Sequence, residues 1–172
     1  MMGKSEQDER YSAAAMEHGA ALQRLARATE ANPERRRDLL QDMHVALWRS
    51  FAGFDGRCSV RTWVYRVAHN VAASHVDREM RTHRGAVSLD AIEHLSDGRS
   101  ISLEHENGDA LNRLYALIAA MPAPDRQTLT LYLEGLDAAT IADITGLSPG
   151  AVATRISRLK THLAKHFQET SP

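Results

Sequence analysis

The feature that most restricts this chain is the spacing of its apolar residues: outside one central stretch they recur every three or four positions and almost never alternate. That is the period of a helix with one buried face, and it leaves no segment of any length that reads as a strand. An all-α fold of two small helical domains joined by a flexible linker is therefore expected. Leu22, Leu25 and Ala26 mark a first helix from about residue 13 to 31, ended near "ANPE", where Pro33 cannot continue it but can open the next. Leu40, Met43, Leu47 and Phe51, with Trp48 alongside, form the stripe of a second helix over about 34–51. "GFDGRCS" reads as a turn, with Gly53 and Gly56 as breakers, and Ser59 as the cap of a third helix whose stripe is Val60, Trp63, Val64, Val67 and Val71.

From Arg81 to Asn107 the period fades into polar and turn-forming residues, with a short helical turn expected around "LDAIEHL". It returns at Leu111, Leu114, Leu117, Ile118 and Met121, stops at "PAPD", and resumes through Leu129, Tyr132, Leu133 and Leu136. The expected organisation is a polar tail (1–16), a helical domain (17–80), a linker (81–107), a second helical domain (108–168) and a short tail (169–172). The longest apolar run, "YALIAAM", is far below the roughly 18 residues needed to cross a bilayer, and "MMGKSEQDER" is polar where a signal peptide is apolar. A cytoplasmic protein without membrane insertion is expected.

Charge narrows the function. The net charge of −1 conceals a segregated pattern. Residues 57–84 carry six Arg against Asp77 and Glu79, and residues 148–172 carry Arg155, Arg158, Lys160 and Lys165 against Glu169. Acidic residues dominate between the two basic blocks. Cys58 is the single cysteine, which excludes an internal disulfide and a thiolate cluster. There is no phosphate-cradling glycine loop, no nucleophile motif and no paired acids, so no catalytic residue, cofactor or metal is expected. His162 and His166 share a helical face, but no third ligand accompanies them, and they read as surface histidines.

The stretch "GLDAATIADITGLSPGAVATRISRLKTHL" is a helix-turn-helix pattern. Asp137 caps one helix, Gly146 permits the turn, and Ser148-Pro149 caps and opens the next. Burying Val152, Ile156, Leu159 and Leu163 leaves Thr154, Ser157, Arg158, Thr161 and Lys165 outside, the hydroxyls and cations that a reading helix brings to a major groove. A helical hairpin with a solvated basic face has the same pattern. On the third helix Trp63, Arg66 and Asn70 share one flank, with Arg61, Tyr65 and His69 turned further out. Rings, cations and an amide so mixed suit single-stranded DNA, although a tryptophan at this spacing is more often core. Asp38, Asp42, Val45 and Arg49 lie opposite the second helix's stripe, with Gln41 at its margin. The two aspartates repel at i, i+4 and hint at a basic partner.

Taken in order, "RRDLLQDMHVALWRSFAGFDGRCSVRTWVYRVAHNVAASHVDRE" resembles conserved region 2 of the extracytoplasmic-function (ECF) sigma factors of the sigma-70 class. "LYALIAAMPAPDRQTLTLYLEGLDAATIADITGLSPGAVATRISRLKTHL" resembles their region 4. The resemblance implies a partner, core RNA polymerase, and a role in which region 2 recognises and melts the minus-ten promoter element while region 4 reads the minus-thirty-five element. Asp38, Gln41 and Asp42 match positions that meet the polymerase clamp helices. Arg57, Cys58 and Ser59 fall in the loop that captures a flipped minus-ten base; Arg61, Trp63, Arg66, His69 and Asn70 belong to the melting helix. Thr154, Arg155, Ser157 and Arg158 match reading-helix positions. An anti-sigma factor is the further partner implied. Three departures stand out: Arg35, Arg36 and Arg37 replace an acidic segment, Ala151 and Ala153 replace a hydroxyl and a base, and His69 stands where Arg is frequent, which suggests melting that varies near its ordinary pKa of about 6.5. The competing expectation is an operator-binding helix-turn-helix regulator that acts without polymerase.

Overall fold

The structure is a computed structural model that describes residues 3–85 and 106–169. The described residues form seven α-helices and no strand, as the apolar period requires. In chain order they are α1 (Lys4–Thr29), α2 (Pro33–Ser50), α3 (Val60–Gly85), α4 (Glu106–Ala120), α5 (Ala123–Leu133), α6 (Ala138–Thr145) and α7 (Pro149–Glu169), with one 3₁₀ turn at Phe51–Gly53. The expected turn at "LDAIEHL" and most of the expected linker lie outside the described residues.

Local chemistry sets most helix ends. Asn32 accepts hydrogen bonds from Glu34 N (2.9 Å) and Arg35 N (3.1 Å), and Pro33 opens α2 without wasting a donor. Arg36 donates to the carbonyls of Glu30 (3.0 Å) and Ala31 (2.9 Å), closing the end of α1 from outside. Helix α1 starts at Lys4, nine residues before the expected start, and so takes in most of the segment expected as a tail. Its polar first turns are fastened by Trp48: Gln7 Nε2 donates to the Trp48 carbonyl (2.7 Å), and Trp48 Nε1 donates to Asp8 (2.7 Å).

Helices α1, α2 and α3 pack around Leu22, Leu39, Met43, Leu47, Phe51 and Val64, all essentially without solvent exposure. Each such side chain contributes about 1.5–3 kcal/mol of burial. The innermost leucine is Leu39, not the expected Leu40, which is half-buried; the stripe advances by four, from 39 to 43 to 47. On α3 the innermost positions are Val64, Ala68 and Ala72, while Trp63, Val67 and Val71 pack at the margin and Val60 is 39% exposed at the helix start. Helices α4 to α7 form a second unit around Ile118, Leu129, Leu131, Ile141 and Val152.

The two units are packed together. Ala21, Ala28 and Tyr65 of the first belong to the hydrophobic clusters of the second. Ala21 and Ala28 lie two turns apart on one face of α1, and side chains this small let α4 and α5 approach closely. Arg126 reaches from α5 to the Thr29 carbonyl (3.3 Å), and Arg27 stacks over the Tyr115 ring (4.3 Å) while bonding Asn112.

Candidate nucleic-acid interface

The corner between α6 and α7 is built as its residues demand. Asp137 accepts from Thr140 N (2.7 Å), which holds its carboxyl below the usual range, and Gly146 takes φ +77° and donates to the Ala142 carbonyl. Ser148 Oγ accepts from Ala151 N (3.2 Å) at the start of α7. Val152 and Leu159 point inward, and Thr154, Ser157, Arg158, Thr161 and Lys165 line one exposed face. Arg155 lies apart from them. It is 26% exposed and ion-paired to Asp125 of α5, which also accepts from Arg158 Nη2 (2.9 Å). One carboxylate thus holds both arginines, with Arg158 64% exposed and presented outward.

The loop before α3 is pre-formed. Asp55 accepts from Arg57 N (3.1 Å) and pairs with Arg57 Nε (2.9 Å), and Gly56 supplies φ +76°. Ser59 caps α3 by accepting from Thr62 N (3.1 Å), and Cys58 is half-buried. Trp63 donates to Ser50 Oγ (2.9 Å) and meets the Phe54 ring edge-on at 5.2 Å, so its ring is oriented from behind while part of it stays open. Arg66 is half-buried and Asn70 exposed.

The other flank of α3 differs from expectation. Tyr65 and His69, read as turned outward, are each 3% exposed because α5 and the α5–α6 turn cover them. Glu134 is the centre of this contact. It pairs with Arg24 of α1 through Nε (2.6 Å) and Nη2 (2.8 Å) and accepts from the Tyr65 hydroxyl (3.0 Å); its carbonyl accepts from Arg61 Nη2 (2.6 Å). The Arg24 bonds hold the Glu134 carboxyl below the ordinary range, and burial pushes the Tyr65 hydroxyl up to about 12. Burial pushes the His69 imidazole down to about 3, far from the value near 6.5 on which the expected pH sensitivity rested.

On α2, Asp38, Gln41 and Asp42 are exposed with Val45 and Arg49. Asp42 lies 3.6 Å from Arg78 of α3. Of the neighbouring arginines, Arg35 pairs with Glu79, and Arg36 holds the end of α1. Sequence reasoning passed over Glu134, Arg24 and Asp125. Glu134 did carry a signal, since an acid at a helix C-terminus opposes the helix dipole unless a cation answers it.

These surfaces occur in an order that known proteins share. The model of Sigma-70 region 2 matches residues 15–82, and that of Sigma-70, region 4 matches residues 111–163. The chain belongs to the ECF sigma factors of the sigma-70 family. ECF RNA polymerase sigma factor SigC of Mycobacterium tuberculosis is 31% identical over 131 residues, covering 73% of this chain and 66% of that protein. ECF RNA polymerase sigma-E factor of Haemophilus influenzae is 27% identical over 139 residues, covering 76% and 74%. The chain thus spans about two thirds to three quarters of these relatives' lengths. Among solved structures, the sigma factor RpoE in complex with the anti-sigma factor NepR from Bartonella quintana superposes with a TM-score of 0.71 at 18% identity, covering 91% of this chain and 96% of that one. CnrH in complex with the cytosolic domain of CnrY superposes with a TM-score of 0.69 at 20% identity, covering 98% and 94%. At those identities the likeness is one of fold. In family terms α1 to α3 are region 2 and α4 to α7 are region 4.

Proposed function

We propose that this ECF sigma factor directs core RNA polymerase to promoters: region 2 captures and holds open the minus-ten element, and region 4 reads the minus-thirty-five element as duplex. The observation that carries the reading is the presence of both units in one chain, in family order, since an operator-binding regulator needs only the helix-turn-helix. Thr154, Ser157 and Arg158 enter the upstream major groove, with Arg155 fixing the helix beneath them. Arg57, Cys58 and Ser59 receive a flipped base, while Trp63, Arg66 and Asn70, with the exposed Arg61 beside them and His69 on the flank that region 4 covers here, follow the unpaired strand. Unstacking costs a few kcal/mol per step, and stacking returns about 1–3 kcal/mol per base, so capture succeeds only when several contacts form together. Polymerase supplies the rest through Asp38, Gln41 and Asp42. The chain performs no bond chemistry itself and works in the cytoplasm, where an anti-sigma factor restrains it.

The test is reconstitution. Core polymerase mixed with the protein should initiate at discrete start sites preceded by a common pair of elements. Binding of duplex DNA alone, with no specific initiation under any polymerase loading, would instead match an operator regulator.

A further inference from the structure

One carboxylate oxygen, Asp125 Oδ1, accepts from Arg155 Nη1 on one side and from Arg158 Nη2 on the other (2.9 Å). The two arginines stand one turn apart on α7, close enough to repel each other without an acid between them. We propose that Asp125 is a positioning residue for base reading: it fixes the Arg158 guanidinium and masks part of its charge, so that Arg158 selects a guanine edge in preference to any nearby phosphate. This rests on α7 entering a major groove, as proposed above, and not on the polymerase.

Asp125 is itself held in place. It lies in the first turn of α5, where the helix dipole favours an acid, and Pro122 and Pro124 fix the backbone just before it. Its side chain is 17% exposed, so water screens the contact only in part. Leu129, one turn on from Asp125, and Leu159, next to Arg158, are buried in the same cluster, and their packing sets the distance between α5 and α7. Arg155 is the fixed half of the arrangement. Its Nε is buried and meets no acceptor among the described residues, while its Nη1 goes to Asp125. Taking the carboxylate away from so enclosed a cation is costly, so the acid stays in place while Arg158 is presented.

Arg158 borders two open spaces. On one side is the reading face with Thr154, Ser157 and Thr161. On the other is a cleft of about 350 Å³ against Met121, Pro122, Leu159 and His162, with Asp125 in its wall. An untethered arginine on this margin swings between the two and loses that freedom only when it binds. The bond from Nη2 removes the freedom in advance, and the remaining N–H donors are left for the paired O6 and N7 acceptors of guanine.

Charge works in the same direction. Two cations share one anion here, which weakens the pull on phosphates that every sequence offers equally. Hydrogen bonds to a base edge depend on direction and lose less. Selectivity rises because the sequence-independent share of binding falls.

The experiment uses the full chain, loaded with core polymerase and in parallel without it, and selects from duplex DNA randomised over about 12 base pairs. The wild-type chain should select a motif containing an invariant guanine. Asp125→Asn keeps an acceptor oxygen but loses the charge. It should bind unselected duplex more tightly, with a salt slope steeper by about 1, and lower the preference for the motif about tenfold. Asp125→Glu should restore most of the preference. In an Arg158→Ala background Asp125→Asn should leave the preference unchanged, whereas a merely damaged fold would weaken reading with or without Arg158. Arg158→Lys keeps Asp125 and the cation but not the planar fork, and it should lose the guanine even if Asp125→Asn fails to fold. A preference unmoved in a folded Asp125→Asn chain, an equal loss in the Arg158→Ala background, or a guanine retained by Arg158→Lys would each overturn the proposal. A wild-type chain that selects no motif in either form removes the groove reading and this proposal together. A chain that selects the motif, loses it in Asp125→Asn and never binds polymerase supports the proposal and refutes the sigma assignment alone.

Discussion

Acidification should open the joint between regions 2 and 4, and His69 sets the size of the effect. The buried imidazole has its pKa pushed down to about 3, whereas once region 4 moves away it regains an ordinary value of about 6.5. At pH 7.5 it is neutral in both forms and contributes no difference. Below about 6.5 the open form takes up a proton that the closed form refuses, so closure is lost progressively as pH falls from about 6.5 toward about 3. At pH 5.5, one unit below the open value, the shift is about 1.4 kcal/mol, a tenfold rise in the ratio of open to closed molecules. The groups that face His69 do not cancel this. Arg24 of α1 and Arg126 of α5 remain cationic, Tyr65 of α3 is held neutral with a pKa of about 12, and Tyr115 of α4 completes the cleft. Glu134 is held below the usual carboxylate range by Arg24, so it stays ionised at pH 5.5 and its contribution to closure is lost only in stronger acid. His18 lies behind Tyr65, with ring centres 6.3 Å apart, inside region 2. Interdomain distances measured between pH 7.5 and 5.5 check the effect, with His69→Asn expected to flatten the response. A wild-type distribution that does not move, or a His69→Asn chain that opens over the same range, would refute the reasoning.

Other perturbations separate structural from reading roles in region 4. Asp125→Ala strands two cations, one of them mostly buried, and should destabilise region 4 by about 1–2 kcal/mol in chemical denaturation. Arg155→Ala should lower stability more than it lowers DNA affinity. Arg158→Ala should leave the melting temperature nearly unchanged, weaken binding to upstream duplex and reduce its salt slope by about 1, measured by titration at several salt concentrations. Asp137→Ala removes the cap of α6 and should lower the melting temperature of region 4, read by thermal melting.

What could be read from the chain followed from how far each signal reaches. The corner at Asp137, Gly146 and Ser148-Pro149 was legible because its stop and start signals act within four residues. The acidic face of α2 and the cap at Ser59 were legible for the same reason. The true start of α1 was not, since its polar first turns are held by Trp48, some forty residues away. Tyr65 and His69 looked outward because they do lie off the core stripe of their own helix; what buries them is a unit about seventy residues further on. Arg155 and Arg158 both match reading-helix positions by resemblance, although the helical spacing puts only Arg158 on the outward face. Asp125, thirty and thirty-three residues earlier, holds both, with Arg155 mostly buried against it and Arg158 mostly exposed.

That asymmetry bears on how a small protein can hold two DNA-reading units without keeping both exposed. A joint filled by leucines would stabilise the closed form by about 1.5–3 kcal/mol per side chain, and parting it would leave an apolar surface in water. Alanines at 21 and 28 allow close approach, and they share their clusters with Tyr65, Ile118, Leu129 and Leu131. Polar bonds add to this apolar contact. Glu134 and Arg24 can exchange one another for water on opening, and Arg61 can exchange the α5 carbonyl for a phosphate, so the groups freed are those a nucleic acid or solvent satisfies. His69 is the exception, for it gains a proton-accepting site rather than losing a partner, and a cation at that position beside Arg61 and Arg66 would strengthen the field that a phosphate backbone meets. The polar groups at the joint are thus ones that solvent or a phosphate satisfies once the two units part.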